Sequence, residues 1–174
     1  MANKQTSSAK KAGARLSRTP IGGTDDGQTA TDALTLLKAD HEEVSEMLDD
    51  FEAASDDDKQ DIAAGICTAL TIHAQIEEEI FYPAAREVLE DEDAELVNEA
   101  DVEHGTVKQL IAQIEDLDGS DDHFNAMVKV LGEYVKHHVA EEENQLFPKL
   151  EETDLDLAEL GQRLAARKAE LSAE

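Results

Sequence analysis

The residues best suited to chemistry are four histidines and two glutamates that occur in two matching sets. His73 and Glu77 stand four apart, as do His138 and Glu142. That separation puts both side chains on one face of a helix, one turn from each other. Around each pair the chain repeats itself. The histidine is followed by glutamates at the fourth and fifth positions (Glu77, Glu78 and Glu142, Glu143), then by an apolar residue and an aromatic, then by Pro83 or Pro148 at the tenth. Two further histidines match as well: Asp40-His41 with Val44 parallels Glu103-His104 with Val107. The chain therefore reads as a duplicated helix pair. One half offers His41, His73 and Glu77, and the other offers His104, His138 and Glu142.

All six interrupt or continue apolar stripes, so they face a core. A buried, ionised glutamate is costly unless it is paired or binds a metal. Two such glutamates with four imidazoles make a metal the economical explanation. Imidazole with carboxylate suits iron or manganese and can suit zinc. The single cysteine, Cys67, rules out a thiolate set and any intramolecular disulfide. Two carboxylates can each bridge two ions within a helical bundle. Any one of these histidines alone would pass for a satisfied core residue; the repeated pattern is what argues for ligands.

The elements that must carry these residues are helices. Apolar residues take helical spacing along four long segments. These run Leu34, Leu37, His41, Val44, Leu48, Phe51; then Ile62, Ile66, Leu70, His73, Ile76 or Glu77, Ile80; then Val97, Ala100, His104, Val107, Ile111, Ile114; then Phe124, Met127, Leu131, Tyr134 or Val135, His138, Glu142. Asp56–Asp58 break the first from the second and can cap it, and Gly119–Asp121 make a turn. Short links between long helices imply an antiparallel, up-down four-helix bundle over residues 29–152. Residues 153–174 add a short extra C-terminal helix through Leu157, Leu160, Leu164 and Leu171. Pro83 and Pro148 are expected to kink or end their helices.

Composition bounds the rest. The formal net charge is −27, from 42 acids against 15 bases. Such a surface repels nucleic acid and anionic lipid and attracts cations. No apolar run approaches the roughly 18 residues of a membrane span, and no apolar leader is evident, so the chain reads as cytoplasmic. Residues 1–28 form a basic, disordered N-terminal tail; Lys4, Lys10, Lys11, Arg15 and Arg18 precede its first acid. A nucleic-acid arm or a targeting segment would look like this, but a loose tail against an acidic body explains it as well.

The six positions together resemble the hemerythrin family in its bacterial HHE cation-binding form, over about residues 31–150. The resemblance implies a non-haem centre of two iron ions with an oxo or hydroxo bridge. His41 and His73 would hold one iron and His104 and His138 the other, with Glu77 and Glu142 bridging. The implied ligands are O2, NO or peroxide. One departure matters: oxygen-carrying hemerythrins have a histidine where this chain has Lys108. They also place the last bridging carboxylate where Glu143 stands, whereas internal symmetry points to Glu142, leaving Glu78 and Glu143 as possible partners. The missing imidazole favours redox chemistry, iron handling or sensing over oxygen carriage. The alternative is an iron or oxygen sensor, or an iron-storage protein, that acts through a partner without catalysis. Among the remaining residues, Tyr134 can face the metals or simply pack. Cys67 reads as core, His123 as surface, and His137, about 100° away from His138 on the helix, as no ligand. Some of the surplus glutamates can orient the imidazoles.

Overall fold

The computed structural model describes residues 31–173, and all regular structure among them is helical. The basic tail expected over residues 1–28 lies outside the described residues. Helix α1 spans Ala33–Ala53, α2 Asp56–Ile76, α3 Tyr82–Val88, α4 Asp91–Glu115, α5 Phe124–Glu141, α6 Phe147–Glu151 and α7 Leu157–Leu171. Two π-helical turns join them, Glu77–Phe81 between α2 and α3 and Glu142–Leu146 between α5 and α6.

Local signals set the boundaries. Asp32 caps α1, its carboxylate accepting from Thr35 N at 3.0 Å. Three acids, Asp56, Asp57 and Asp58, open α2, where negative charge meets the positive end of the helix dipole. Asp156 caps α7 by accepting from Glu159 N.

The helices do not end at Pro83 and Pro148, contrary to one of the two outcomes expected for them. Each proline falls at the start of the segment after a π turn. Proline has no N–H to give, and its ring collides with the carbonyl four residues back. In the wider turn Tyr82 N–H reaches Glu77 O, and Phe147 N–H reaches Glu142 O, five residues back in each case. The chain thereby continues as helix past each proline. Such turns recur at functional sites because they shift which side chains share a face. Here both begin on the glutamates of the repeated pattern.

The core is built in two apolar clusters. The first gathers Leu34, Leu37, Ile76, Phe81, Tyr82, Val97, Leu146, Phe147 and Leu150 with Leu160 and Leu164 of α7. The second gathers Val44, Leu48, Phe51, Ile66, Cys67, Leu70, Val107, Ile111, Phe124, Leu131 and Val135. The buried polar residues sit between them: Asp40, His41, His73, Glu77, His104, His138 and Glu142. Along α1 the chain passes from the first cluster through His41 to the second. Along α2 it returns through His73, along α4 it goes out again through His104, and along α5 it comes back through His138.

Helix α7 is part of this packing. It lies against α1 and α2. Gly161 makes the approach possible, since a Cβ there would stand 2.3 Å from Thr31 O. Lys168 reaches the polar layer, its Nζ lying 2.6 Å from Asp40 Oδ1, and Arg167 pairs with Glu79 on the surface.

Candidate metal centre

The four histidines turn their Nε2 atoms toward one another. His41 Nε2 and His73 Nε2 are 3.1 Å apart, and so are His104 Nε2 and His138 Nε2. The glutamates span the two pairs. Glu77 Oε2 lies 3.1 Å from His73 Nε2 and 3.3 Å from His104 Nε2. Glu142 Oε2 lies 3.3 Å from His41 Nε2 and 3.5 Å from His138 Nε2. All six residues expected from the sequence are thus brought into one buried cluster. Two overlapping groups within it could hold a cation: His41, His73, Glu77 and Glu142, and Glu77, His104 and His138.

The outward nitrogens are held by carboxylates. His41 Nδ1 meets Glu143 Oε1 at 2.8 Å, and His138 Nδ1 meets Glu103 Oε2 at 2.8 Å. His104 Nδ1 meets Glu78 Oε1 at 3.1 Å, and His73 Nδ1 meets Asp40 Oδ2 at 3.5 Å. An anionic carboxylate only accepts, so each Nδ1 carries the proton. With the rings neutral, as binding of a cation requires, four Nε2 lone pairs point into the same small volume. Glu78 and Glu143 therefore serve the outer faces of the rings, and Glu77 and Glu142 the inner ones.

This donor set fits a metal. Glu77 Oε1, Glu77 Oε2 and Glu142 Oε2 are buried without a hydrogen-bond partner. Leaving such an oxygen unsatisfied costs about 1–3 kcal/mol, and more when it is charged. Donors bound about 2.0–2.2 Å from a shared cation also stand about 3 Å apart, as these do. Without a cation the cluster is electrostatically awkward. Burial and the charge of Glu142 push the Glu77 carboxyl up. Burial pushes Glu142 the same way, but the close approach of His41 and the charge of the nearby histidines hold it down. Burial depresses His41, yet Glu142 and Glu77 outweigh it and raise the imidazole to about 9. His104 goes the other way, lowered chiefly by burial.

Tyr82 is the residue that sequence reasoning missed. It is buried in the first turn of α3, and its hydroxyl donates to Glu142 Oε1 at 2.9 Å and lies 3.2 Å from His104 Nε2. Burial and the two glutamates hold its phenol well above the ordinary range, so it stays protonated. Tyr134, considered for such a role, is 46% exposed and does not face the cluster. Val135 occupies the core position one residue on. Lys108, where oxygen carriers have a histidine, points outward and pairs with Glu78, which holds His104. Cys67 is buried in the second apolar cluster, His123 is exposed at the start of α5, and His137 lies outside the cluster beside Glu103.

On the side of the second apolar cluster, Val44, Leu70, Val107, Val135 and Val139 join the four histidines in lining a cavity of about 20 Å³. That is room for one molecule of about the size of water. Among the described residues no helix is long and apolar enough to cross a membrane.

Comparison with known proteins gives the family and the fold. The family model for the hemerythrin HHE cation binding domain matches residues 32–150. A solved structure of a hemerythrin HHE cation-binding domain-containing protein from Mycobacterium kansasii superposes with a TM-score of 0.70. The match covers 82% of this chain and 88% of that one at 22% identity, a likeness of fold. A protein of Nostoc sp. described as a DNA nickase is 30% identical over 113 residues. That stretch is 64% of this chain but only 31% of the Nostoc protein. With more than half its length matched by the family model, and with histidines and glutamates gathered as a cation site requires, the chain belongs to the hemerythrin HHE cation-binding family.

Proposed function

We propose that this chain is a non-haem di-iron protein that binds or reacts with O2, peroxide or NO within an up-down four-helix bundle. The alternating passage of α1, α2, α4 and α5 between the two apolar clusters supports that topology. His41 and His73 would hold one ion and His104 and His138 the other, with Glu77 and Glu142 spanning both. The observation that carries the reading is the convergence of four Nε2 atoms on carboxylate oxygens that are buried and otherwise unpartnered.

When bound, the irons supply the change of oxidation state and the positions at which a small ligand attaches. The protein does the rest. Asp40, Glu143, Glu78 and Glu103 hold protons on the outer nitrogens, fixing the tautomers and the ring planes. Tyr82 keeps a proton at Glu142 Oε1, where charge changes can be compensated. The valine-lined cavity admits a small molecule while excluding bulk water. The −27 net charge favours arrival of cations over anions.

The reading is tested by loading the purified chain with ferrous iron and following the loss of added peroxide or NO. Turnover or stoichiometric binding that disappears in Glu142→Ala is expected. Activity that persists unchanged in that variant would contradict it. A second reading, a sensor or store acting through a partner, is favoured by one contact: Lys168 of α7 holds Asp40, which holds His73. It predicts that α7 becomes more or less susceptible to limited proteolysis when iron binds. Identical digestion of the two forms would argue against it.

A further inference from the structure

The surface of the chain is unevenly charged. On α1, the exposed residues from Glu42 to Glu52 are all acidic apart from Ser45. On α4, the exposed residues from Val102 to Gln113 include one charge, Lys108, and it turns aside to Glu78. The rest of that stretch presents Val102, Gln109, Ala112 and Gln113 to solvent, with Thr106 and Leu110 half-buried beside them. Val130 and Tyr134 of α5 are exposed as well, and with Val102 they are the large apolar side chains left exposed among the described residues. A chain of net charge −27 thus gathers its exposed large apolar residues on one helix pair.

These residues form one face. His137 of α5 meets Glu103 of α4 across the seam between the helices. On a regular helix Leu110 and Thr106 stand about 20° and 60° round from Glu103, and Val130 and Tyr134 about 20° and 60° round from His137. The four therefore flank the same seam, and Leu110 packs against the edge of the second apolar cluster below. Val102, Gln109 and Gln113 fan outward beside them, and Glu103, Glu133 and Glu141 stand at the margin. Helix α7 lies against α1 and α2. Val102 is 72% exposed, so among the described residues nothing covers this side of α4. Single scattered apolar residues would need no explanation. An uncharged face centred on tyrosine and aliphatic side chains, with acids at its rim, has the composition of an interface.

We propose that this face of α4 and α5 joins two copies of the chain in a symmetric dimer. The rest of the surface selects that occupant. Two copies that each carry −27 repel wherever their acidic faces meet, and a charge-free face lets them approach closely. A basic partner would be drawn to the acids of α1 rather than to a face with no charge to pair. A twofold interface brings a patch against itself, so its groups must suit their own kind. Apolar side chains do, and so do the amides of Gln109 and Gln113, which both donate and accept. Carboxylates and ammonium groups do not. The face runs about 17 Å along α4 from Val102 to Gln113 and spans two helices, about 20 Å across. That is the small end of specific interfaces, so the dimer is reversible. It does not depend on which ion the buried cluster holds.

The test is sedimentation equilibrium of the purified 174-residue chain at rising protein concentration. A monomer–dimer equilibrium is expected that tightens between about 0.05 M and about 0.5 M NaCl, because screening relieves the repulsion between the copies. Val130→Glu, Tyr134→Glu and Gln109→Glu each set like charges against one another across the interface and should raise the dimer dissociation constant about tenfold or more. All three positions are exposed, so helicity by circular dichroism should match the wild type. Gln109→Glu is nearly isosteric and keeps the test decisive if a larger change disturbs α5. Ser45→Glu adds the same charge at an exposed position of α1 and should dimerise much as the wild type does. A monomer at every concentration and salt would overturn the proposal and leave the face to a different partner. A dimer that loosens with salt, or that survives all three face variants, would place the contact elsewhere and overturn it too. So would equal losses in Ser45→Glu and Gln109→Glu, because general charge would then suffice.

Discussion

The two halves of the centre are built on the same repeat, yet they are not alike. Beside His41 and His73 stands Phe147, whose ring stacks on His41 with centroids 6.0 Å apart and planes 9° from parallel. Beside His104 and His138 the equivalent residue is Tyr82, which puts a hydroxyl where Phe147 has none. The outer carboxylates differ too. Asp40 is buried and tied to Lys168 of α7, whereas its counterpart Glu103 is more exposed and shared with His137. Lys108, which braces Glu78, has Ser45 as its counterpart. The repeat thus gives two equivalent ligand sets in different surroundings. One half is apolar and braced through the buried Asp40, and the other is hydroxylated and braced at the surface through Glu78.

The glutamates that join the halves should matter most. Glu142→Ala removes contacts to His41, His138 and Tyr82 together. Its iron affinity should fall by more than about a hundredfold, beyond the usual loss for a residue that only orients a ligand. Equilibrium dialysis checks this, and retention of one tightly held ion would show the halves to be independent.

Exchanging the aromatic partners sharpens the contrast. Tyr82→Phe makes the second half resemble the first. It should keep both irons and react with peroxide or NO about a hundredfold more slowly, a typical loss when a positioned proton donor is removed. Stopped-flow absorbance reads the rate and metal analysis the content. An unchanged rate would reduce Tyr82 to packing.

The braces come next. Lys168→Ala leaves the buried Asp40 with His73 alone and should weaken iron binding about tenfold. Lys108→Ala should do less, because Glu78 is more exposed and water can replace the lysine. Equal effects in parallel titrations would remove the distinction between the buried and the exposed brace.

The smallest expected effect is a pH dependence. His41 is raised from 6.5 to about 9, so the metal-free fold binds that proton more tightly than the unfolded chain does. Its contribution is therefore complete below pH 6.5 and is lost as pH rises through 9. The raised Cys67 thiol, at about 11, acts in the same sense at higher pH. The metal-free melting temperature should fall between pH 6.5 and 9. With iron bound the trend should flatten or reverse, since metal and protons compete for the same nitrogens. Parallel falls with and without iron would argue that no metal sits on His41.

Much of this was legible in the sequence because it depends on helical spacing alone. Four-residue steps put His73 with Glu77 and His138 with Glu142, and the apolar stripes showed that all six candidates face inward. Tyr82 was not legible that way. It lies five residues beyond Glu77 and reaches the site through a π turn, a shift that a regular period does not carry. The repeated prolines after Tyr82 and Phe147 were the available signal, and they were read as kinks or ends of helices. The tie from Lys168 to Asp40 spans 128 residues, and nothing local announces such a contact.

The central claim is tested most directly by elemental analysis of the purified 174-residue chain after aerobic loading with ferrous iron, read with its ultraviolet–visible spectrum. The account predicts two irons held in the buried centre and an iron charge-transfer band in the near ultraviolet. A colourless protein that retains no iron after the same treatment would contradict it.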